Sequence, residues 1–308
     1  MLRIENLTKR YGKFTAVDNL SLEIKEGEIF GFVGPNGAGK TTTLKMIATL
    51  LKPNEGNIYI NDFNIASNLK EARKSIGYMP DFFGVYDNLK VNEYLEFYGD
   101  VAGLSNEEKG KMMVDLLELV DLSHKKDEYV DSLSRGMKQR LCLARSLIHN
   151  PKFLILDEPA SGMDPRARVQ MKEILRELKN MGKTILISSH ILPELSELCT
   201  SIGIIEHGKI VISGSVDEIM KKVNKINIIK MKLLDKVDDA VKLLKEEPLV
   251  GGIYDNDRTV EFEYNGDEKE VVQLIKKMIS KELPILSFNP VQSNLEEIFM
   301  KVTRGDNE

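Results

Sequence analysis

Residues 34–42 read Gly34-Pro35-Asn36-Gly37-Ala38-Gly39-Lys40-Thr41-Thr42. Glycines at 34 and 39, followed by Lys40 and Thr41, have the spacing of a phosphate-binding loop. The glycines let the backbone curl its N–H groups round an anion, and a helix that starts there adds partial positive charge. Lys40 reaches the β- and γ-phosphates of a nucleotide. The Thr41 hydroxyl suits Mg²⁺, and Thr42 suits an α- or β-phosphate oxygen.

A second set of chemical groups follows the apolar run Phe153-Leu154-Ile155-Leu156, where Asp157 and Glu158 stand together before Pro159. Two carboxylates at the end of a buried strand lie where open α/β sheets bind ligands. Asp157 is expected to organise magnesium, directly or through water. Glu158, aimed differently, is expected to take a proton from attacking water. His190 ends the run Thr184 to Ser189. A lone histidine there serves either a structural role or, beside a phosphate loop, as a sensor of the γ-phosphate. Asp131 to Arg140 leads into an amphipathic helix. Its Ser134 and Gly136 suit a helix cap and an anion site equally.

These groups need elements to hold them. Glu28 to Val33 is apolar and strand-like, and Thr43 to Ala48 is helical, so the loop sits between a strand and a helix N-terminus. Leu2 to Leu7 and Asn19 to Ile24 alternate as strands, and Pro53 to Gly56 turns into a strand pair that ends at Ser75 to Pro80. Residues 90–148 are mostly helical by spacing, most clearly Lys111 to Val120 and Arg140 to Ile148. A strand (152–156), helix (166–180), strand (184–188), helix (192–200) and strand (201–206) follow. This alternation predicts an α/β fold with a mostly parallel sheet covered on both faces. From about residue 220 the order becomes strand 226–234, helix 236–246, strands 250–254 and 259–264, helix 268–281, strand 284–290 and helix 293–302. That βαββαβ order predicts a small α+β ferredoxin-like domain over 221–308. It carries no catalytic motif and is expected to regulate or to form a dimer contact.

The bulk properties exclude several classes. A chain of 308 residues, 42% hydrophobic and 30% charged, has an ordinary globular composition. Its formal net charge of -5 gives no electrostatic case for nucleic-acid binding. No apolar run reaches the roughly 20 residues that span a bilayer. The start, Met1 to Asn6, lacks a signal-peptide core, so cytoplasmic residence is expected. Cys142 and Cys199 lie in apolar contexts and are expected to be buried free thiols.

Taken in order, the motifs resemble those of the ATP-binding cassette ATPases, the energy-coupling subunits of ABC transporters. Walker A corresponds to Gly34–Thr41, and Walker B to Phe153–Asp157 with Glu158 next. Leu133-Ser134-Arg135-Gly136-Met137 resembles the signature loop, and Ser161-Gly162-Met163-Asp164 the D-loop. His190 resembles the switch histidine and Tyr11 the aromatic that stacks on adenine. The resemblance covers residues 1 to about 220. It implies a P-loop cassette with an antiparallel β subdomain and a helical subdomain at about 82–150. Asn294 to Thr303 resembles the tail of exporter-type cassettes that serve drugs, antibiotics, polysaccharides or lipids; by its pattern alone it is an amphipathic helix.

Two positions depart from the pattern. Asp81 stands where glutamine is usual; it accepts hydrogen bonds only and can approach magnesium. Arg135 and Met137 stand where Gly and Gln are usual, while Ser134 and Gly136 are kept. The resemblance implies ATP and Mg²⁺ as ligands and hydrolysis to ADP and phosphate. It implies a second cassette, identical or related, whose Ser134 and Gly136 complete the site. It also implies transmembrane permease partners that hold the protein peripherally on the inner face of the cell membrane. Phe82 to Tyr86 is a candidate docking patch for them or a core element of the helical subdomain. A soluble ATPase of translation or DNA repair and a non-hydrolysing nucleotide sensor are the competing readings. The chain has neither the paired cassettes nor the long coiled coils of the first, and the intact Lys40, Thr41, Asp157, Glu158 and His190 oppose the second.

Overall fold

The computed structural model describes residues 1–291 apart from 83, 85, 87, 192–194, 196 and 224–226. The helix expected over 293–302 and the exporter-like tail lie outside the described residues, as do Phe83, Val85 and part of the segment 192–200. The chain divides into two compact units, the first Met1–Val216 and the second beginning at Asp217.

The first unit opens with a four-stranded antiparallel sheet. It is built from β1 (Leu2–Tyr11), β2 (Phe14–Ile24), β4 (Glu55–Ile60) and β5 (Phe63–Asn64), in the order β2-β1-β4-β5. Leu2, Ile4, Leu20, Leu22, Ile58 and Ile60 turn their alternate positions inward. A six-stranded sheet holds β3 (Ile29–Val33), β6 (Ile76–Met79), β7 (Phe153–Asp157), β8 (Thr184–Ser189), β9 (Ser201–Glu206) and β10 (Lys209–Ser215). Its order is β10-β9-β3-β8-β7-β6, parallel throughout except for β10. Every residue of β3, β7 and β8 is buried, which is why these runs read as continuously apolar rather than alternating. Phe30, Phe32 and Phe153 are the largest of those side chains; burying each contributes about 1.5–3 kcal/mol.

Helices α1 (Lys40–Ile47), α2 (Leu69–Ser75), α3 (Val91–Val101), α4 (Asn106–Leu119), α5 (Arg135–Leu147) and α6 (Pro165–Asn180) complete this unit. Their starts are written in the sequence. Ser105, Ser134 and Asp164 each accept a backbone N–H three residues on, and Pro165 follows the last of them. Helices α3 and α4 bury Val91, Tyr94, Leu95, Leu116 and Leu117, so the segment expected to be helical has apolar faces of its own. Short α2 and edge strand β10 were not marked by the sequence pattern. α2 buries only Ala72, and β10 has no fully buried side chain. Cys142 and Cys199 are buried and free.

The second unit begins within α7 (Val216–Val223). It continues as β11 (Asn227–Leu233), α8 (Val237–Lys245), β12 (Val250–Asn256), β13 (Thr259–Tyr264), α9 (Glu268–Ser280) and β14 (Ile285–Val291). The sheet order is β12-β13-β11-β14 with every neighbouring pair antiparallel, the arrangement of a ferredoxin-like βαββαβ unit. Its core packs Ile229, Met231, Leu233, Ala240, Leu244, Val260, Phe262 and Met278 together.

Candidate functional site

Parallel register brings the chemical groups together. Val33 of β3 pairs with Ser189 of β8, and Asp157 of β7 pairs with Ser188 of the same strand. The carboxyl ends of these three strands therefore lie side by side. The glycine loop leaves one, Asp157 and Glu158 another, and His190 the third.

The loop needs its glycines at two points. Gly39 caps α1 at φ 104°, a conformation open to glycine, and a Cβ there would stand 2.5 Å from the Ala16 carbonyl. A Cβ on Gly34 would overlap the Ile205 carbonyl. No side chain caps α1, and a helix start of this kind leaves its first amides open to an anion. Buried Lys40 folds back over that loop. Its Nζ donates to the carbonyls of Gly34 at 2.6 Å and Pro35 at 3.2 Å, and lies 3.7 Å from Glu158 Oε1. Burial lowers the Lys40 pKa, and the Glu158 and Asp157 carboxylates oppose that shift.

Glu158 is held from both ends. Its backbone sits at φ 50°, unusual for a residue with a side chain, and its N–H donates to Ser188 Oγ at 3.0 Å. Its Oε2 lies 2.9 Å from His190 Nδ1. Burial raises the Glu158 pKa, against the hydrogen bond and charge of His190 and the charge of Lys40. The Ser188 hydroxyl also donates to Asp157 Oδ1 at 2.7 Å. Asp157 Oδ2 is buried and has no hydrogen-bond partner among the described residues. Burial raises the Asp157 pKa too; the Ser188 hydrogen bond and the nearby Thr41 hydroxyl pull the other way, and nearby Asp81 adds to the rise.

An open cleft of about 390 Å³ lies over these groups. It is lined by Pro35, Asn36, Gly37, Gly39, Lys40, Thr41, Thr42, Asp81, Glu158 and His190 from the expected set, and by Tyr11 at its rim. Gly34 and Ala38 are buried within the loop and support it from below, with Ala38 N–H closing a turn on the Pro35 carbonyl at 3.2 Å. Phe14, Ala16 and Ser161 line the cleft as well. Tyr11 and Phe14 are paired across the β1–β2 turn and both are exposed, so the hairpin offers two aromatic rings. The site residues that sequence reasoning missed are Phe14 and Ser188; Ser161 was named there only within the D-loop resemblance. The hairpin pairing was the available signal for Phe14. Nothing local marks Ser188, whose role follows from strand register.

Ser134 and Gly136 do not line this cleft. Ser134 caps α5, accepting from Met137 N at 3.3 Å, and a Cβ on Gly136 would stand 3.2 Å from Ala167 Cβ. Both sit at an exposed or half-exposed helix start, open to a group outside the chain. Of the aromatic run, Phe82 is 91% exposed and Tyr86 52%, and Tyr86 meets Phe97 edge-to-face at 5.5 Å. The position of Phe82 is that of a surface residue, not of a core.

The donor set suits a nucleotide and a divalent cation. Lys40 feels the charge of three carboxylates, Glu158, Asp157 and Asp81, of which Glu158 and Asp81 line the cleft and Asp157 lies buried behind it. The orphaned Asp157 Oδ2 is an oxygen that a hard cation or its water would satisfy.

A family profile described as "ABC transporter" matches residues 17–161, and one described as "ATP-binding protein DrrA1-3-like, C-terminal domain" matches residues 214–303. The linearmycin resistance ATP-binding protein LnrL of Bacillus subtilis (strain 168) is 32% identical over 305 residues, 98% of both chains. The bacitracin transport ATP-binding protein BcrA of Bacillus licheniformis is 34% identical over 308 residues, 99% of this chain and 98% of that one. A dimeric ATP-binding cassette solved in a post-hydrolysis state with ADP and Pi superposes with a TM-score of 0.64 at 27% identity, covering 70% of this chain and 99% of its own.

Proposed function

The chain belongs to the ABC transporter ATP-binding proteins, and on that premise we propose that it hydrolyses ATP at the cleft between the glycine loop and Glu158 to drive export through separate membrane subunits. The observation that carries this reading is the convergence of Lys40, Asp157, Glu158 and His190 at neighbouring strand ends beside the loop.

In this mechanism the adenine stacks on Tyr11, with Phe14 beside it, and the phosphates lie along the amides of residues 36–42. Lys40 leaves the Gly34 and Pro35 carbonyls for the β- and γ-phosphate oxygens. Thr41, Asp157 and Asp81 are the residues that would hold Mg²⁺, which when bound neutralises phosphate charge. Glu158 takes a proton from water as the water oxygen bonds to the γ-phosphorus. The bond from that phosphorus to the β–γ bridging oxygen breaks, leaving ADP and phosphate. His190 holds the Glu158 carboxylate at Oε2 and has its other nitrogen available for the γ-phosphate. Burial, by raising the Glu158 pKa, makes it a better proton acceptor than a solvated carboxylate.

Ser134 and Gly136 would complete the site of a second cassette, since they do not line the cleft of their own chain and lie at an exposed or half-exposed helix start. The dimeric relative with ADP and Pi supports that pairing. A cassette of residues 1–220 would then carry the chemistry, and the domain 221–308 would regulate it or join the two copies. LnrL and BcrA, named for linearmycin resistance and bacitracin transport, support an antibiotic-like cargo. No helix among the described residues is long and apolar enough to cross a membrane, so a permease subunit would supply the path and hold this chain at the inner membrane face. Detergent extraction of the tagged protein from its native membrane tests this. A stoichiometric multispanning partner supports the export reading; recovery without one, alone or with ribosomes or DNA, overturns it.

A further inference from the structure

The first turns of α5 are fastened to the segment that follows Glu158. Gln139, buried on α5, donates Nε2 to the Ser161 carbonyl at 2.9 Å. One turn earlier, the Arg135 guanidinium covers Gly162. A Cβ built on Gly162 would fall inside contact distance of Arg135 Cζ and of both its terminal nitrogens, so the planar group lies face-on against the glycine. Gly162 has φ 67°, the left-handed region, and its lack of a side chain is what admits the guanidinium. The segment itself is a series of tight turns. Ser161 N–H donates to the Glu158 carbonyl at 3.0 Å and Met163 N–H to the Ala160 carbonyl at 3.3 Å. Arg168 Nε donates to the Met163 carbonyl at 3.0 Å, and Asp164 caps α6. Ser161 lines the cleft with Glu158 and His190.

These contacts form a short chain from an exposed cation to the Glu158 backbone. Glu158 is already at a left-handed φ, so its carboxylate direction depends on what holds the residues beside it. Ser188 fixes its N–H, and the turn to Ser161 fixes its carbonyl. Gln139 anchors that turn by one hydrogen bond; the Arg135 guanidinium lies against the next residue, Gly162, which stays exposed on its other side.

We propose that Arg135 is a positioning residue for hydrolysis: by covering Gly162 it fixes the turn Ser161–Asp164, and through that turn the aim of Glu158. The inference rests on the reading that this cleft hydrolyses ATP. Arg135 is not among the residues that line the cleft of its own chain, so its loss should leave ATP binding by the single chain unchanged and act on the chemical step.

The test uses full-length Arg135→Gly, Arg135→Lys, Gly162→Ala and the double variant Arg135→Gly/Gly162→Ala. Arg135→Gly is expected to lower kcat about tenfold with KM for ATP within about twofold. Lysine, which has no planar face, should restore only part of the loss. Gly162→Ala displaces the guanidinium without removing its charge, and the double variant should be no worse than the poorer single one. Independently of activity, hydrogen exchange of the nucleotide-free chain should quicken at Ser161 and Met163 in Arg135→Gly while the β7 amides stay unchanged. Unchanged kcat, a loss confined to KM, additive single effects, or unaltered exchange at 161–163 would overturn the proposal. If the wild-type protein itself fails to hydrolyse ATP, the functional reading falls, and the exchange measurement alone decides whether Arg135 holds the turn.

Discussion

His190 and Glu158 meet across the ends of two neighbouring parallel strands, with Nδ1 of the imidazole 2.9 Å from Oε2 of the carboxylate. The other carboxylate oxygen faces Lys40 at 3.7 Å. The general base of the proposed mechanism is thus oriented by two cationic or hydrogen-bonding groups drawn from distant parts of the chain.

His190→Ala removes one of these. The expected result is a fall in kcat of about 10²-fold, with KM for ATP changed by less than about threefold, because the loop still holds the phosphates. Steady-state kinetics checks it. A variant with raised KM and full kcat would assign His190 to ground-state binding instead.

Ser188 is the junction between the two carboxylate residues, donating to Asp157 Oδ1 and accepting from Glu158 N–H. Ser188→Ala strands a buried acceptor and a part-buried donor at once. The expected cost is about 2 kcal/mol, a fall of about 5 °C in the melting of the first unit, together with reduced turnover. Calorimetry checks the stability arm; an unchanged melting temperature would show that water replaces the hydroxyl at no cost.

What was legible in the sequence follows from range. The glycine loop, its Lys40 and Thr41, and the pair Asp157-Glu158 are contiguous, and their strand and helix flanks are strongly patterned. The βαββαβ order of the second unit was equally plain, since each strand and helix there keeps a clear period. Ser188 was not legible because only the pairing of β7 with β8 makes it a partner of Asp157. The seat of Arg135 on Gly162 was hidden for the same reason: α5 and the turn after Glu158 meet only once the sheet has formed. Edge strand β10 and the short α2 bury too little to leave a periodic trace. The role of His190 was open between structure and catalysis; its contact with Glu158 is the observation that favours the second.

Burial raises the folded-state pKa of Asp157 above its unfolded value. The sign follows. The folded chain resists ionisation of this group, so the penalty is absent below the unfolded pKa near 4 and fully present above the folded pKa. Asp157→Asn is therefore expected to raise the melting temperature of the nucleotide-free protein in chelator at pH 7–8. The gain should shrink as the pH falls toward 4. Melting curves across that range check it; a variant less stable at pH 8 would mean that Asp157 is more favourably solvated than its burial implies.

Glu158→Gln keeps the size of the side chain and removes its capacity to accept the proton. Gel filtration of this variant with and without ATP, alongside its turnover, tests the central claim most directly. The account predicts that ATP still binds, that hydrolysis falls by at least about 10²-fold, and that ATP drives the chain into a stable dimer with nucleotide trapped between Lys40 of one copy and Ser134 of the other. Turnover at the wild-type rate would contradict the assignment of Glu158 as the base. A variant that binds ATP, fails to hydrolyse it and stays monomeric would contradict the shared site.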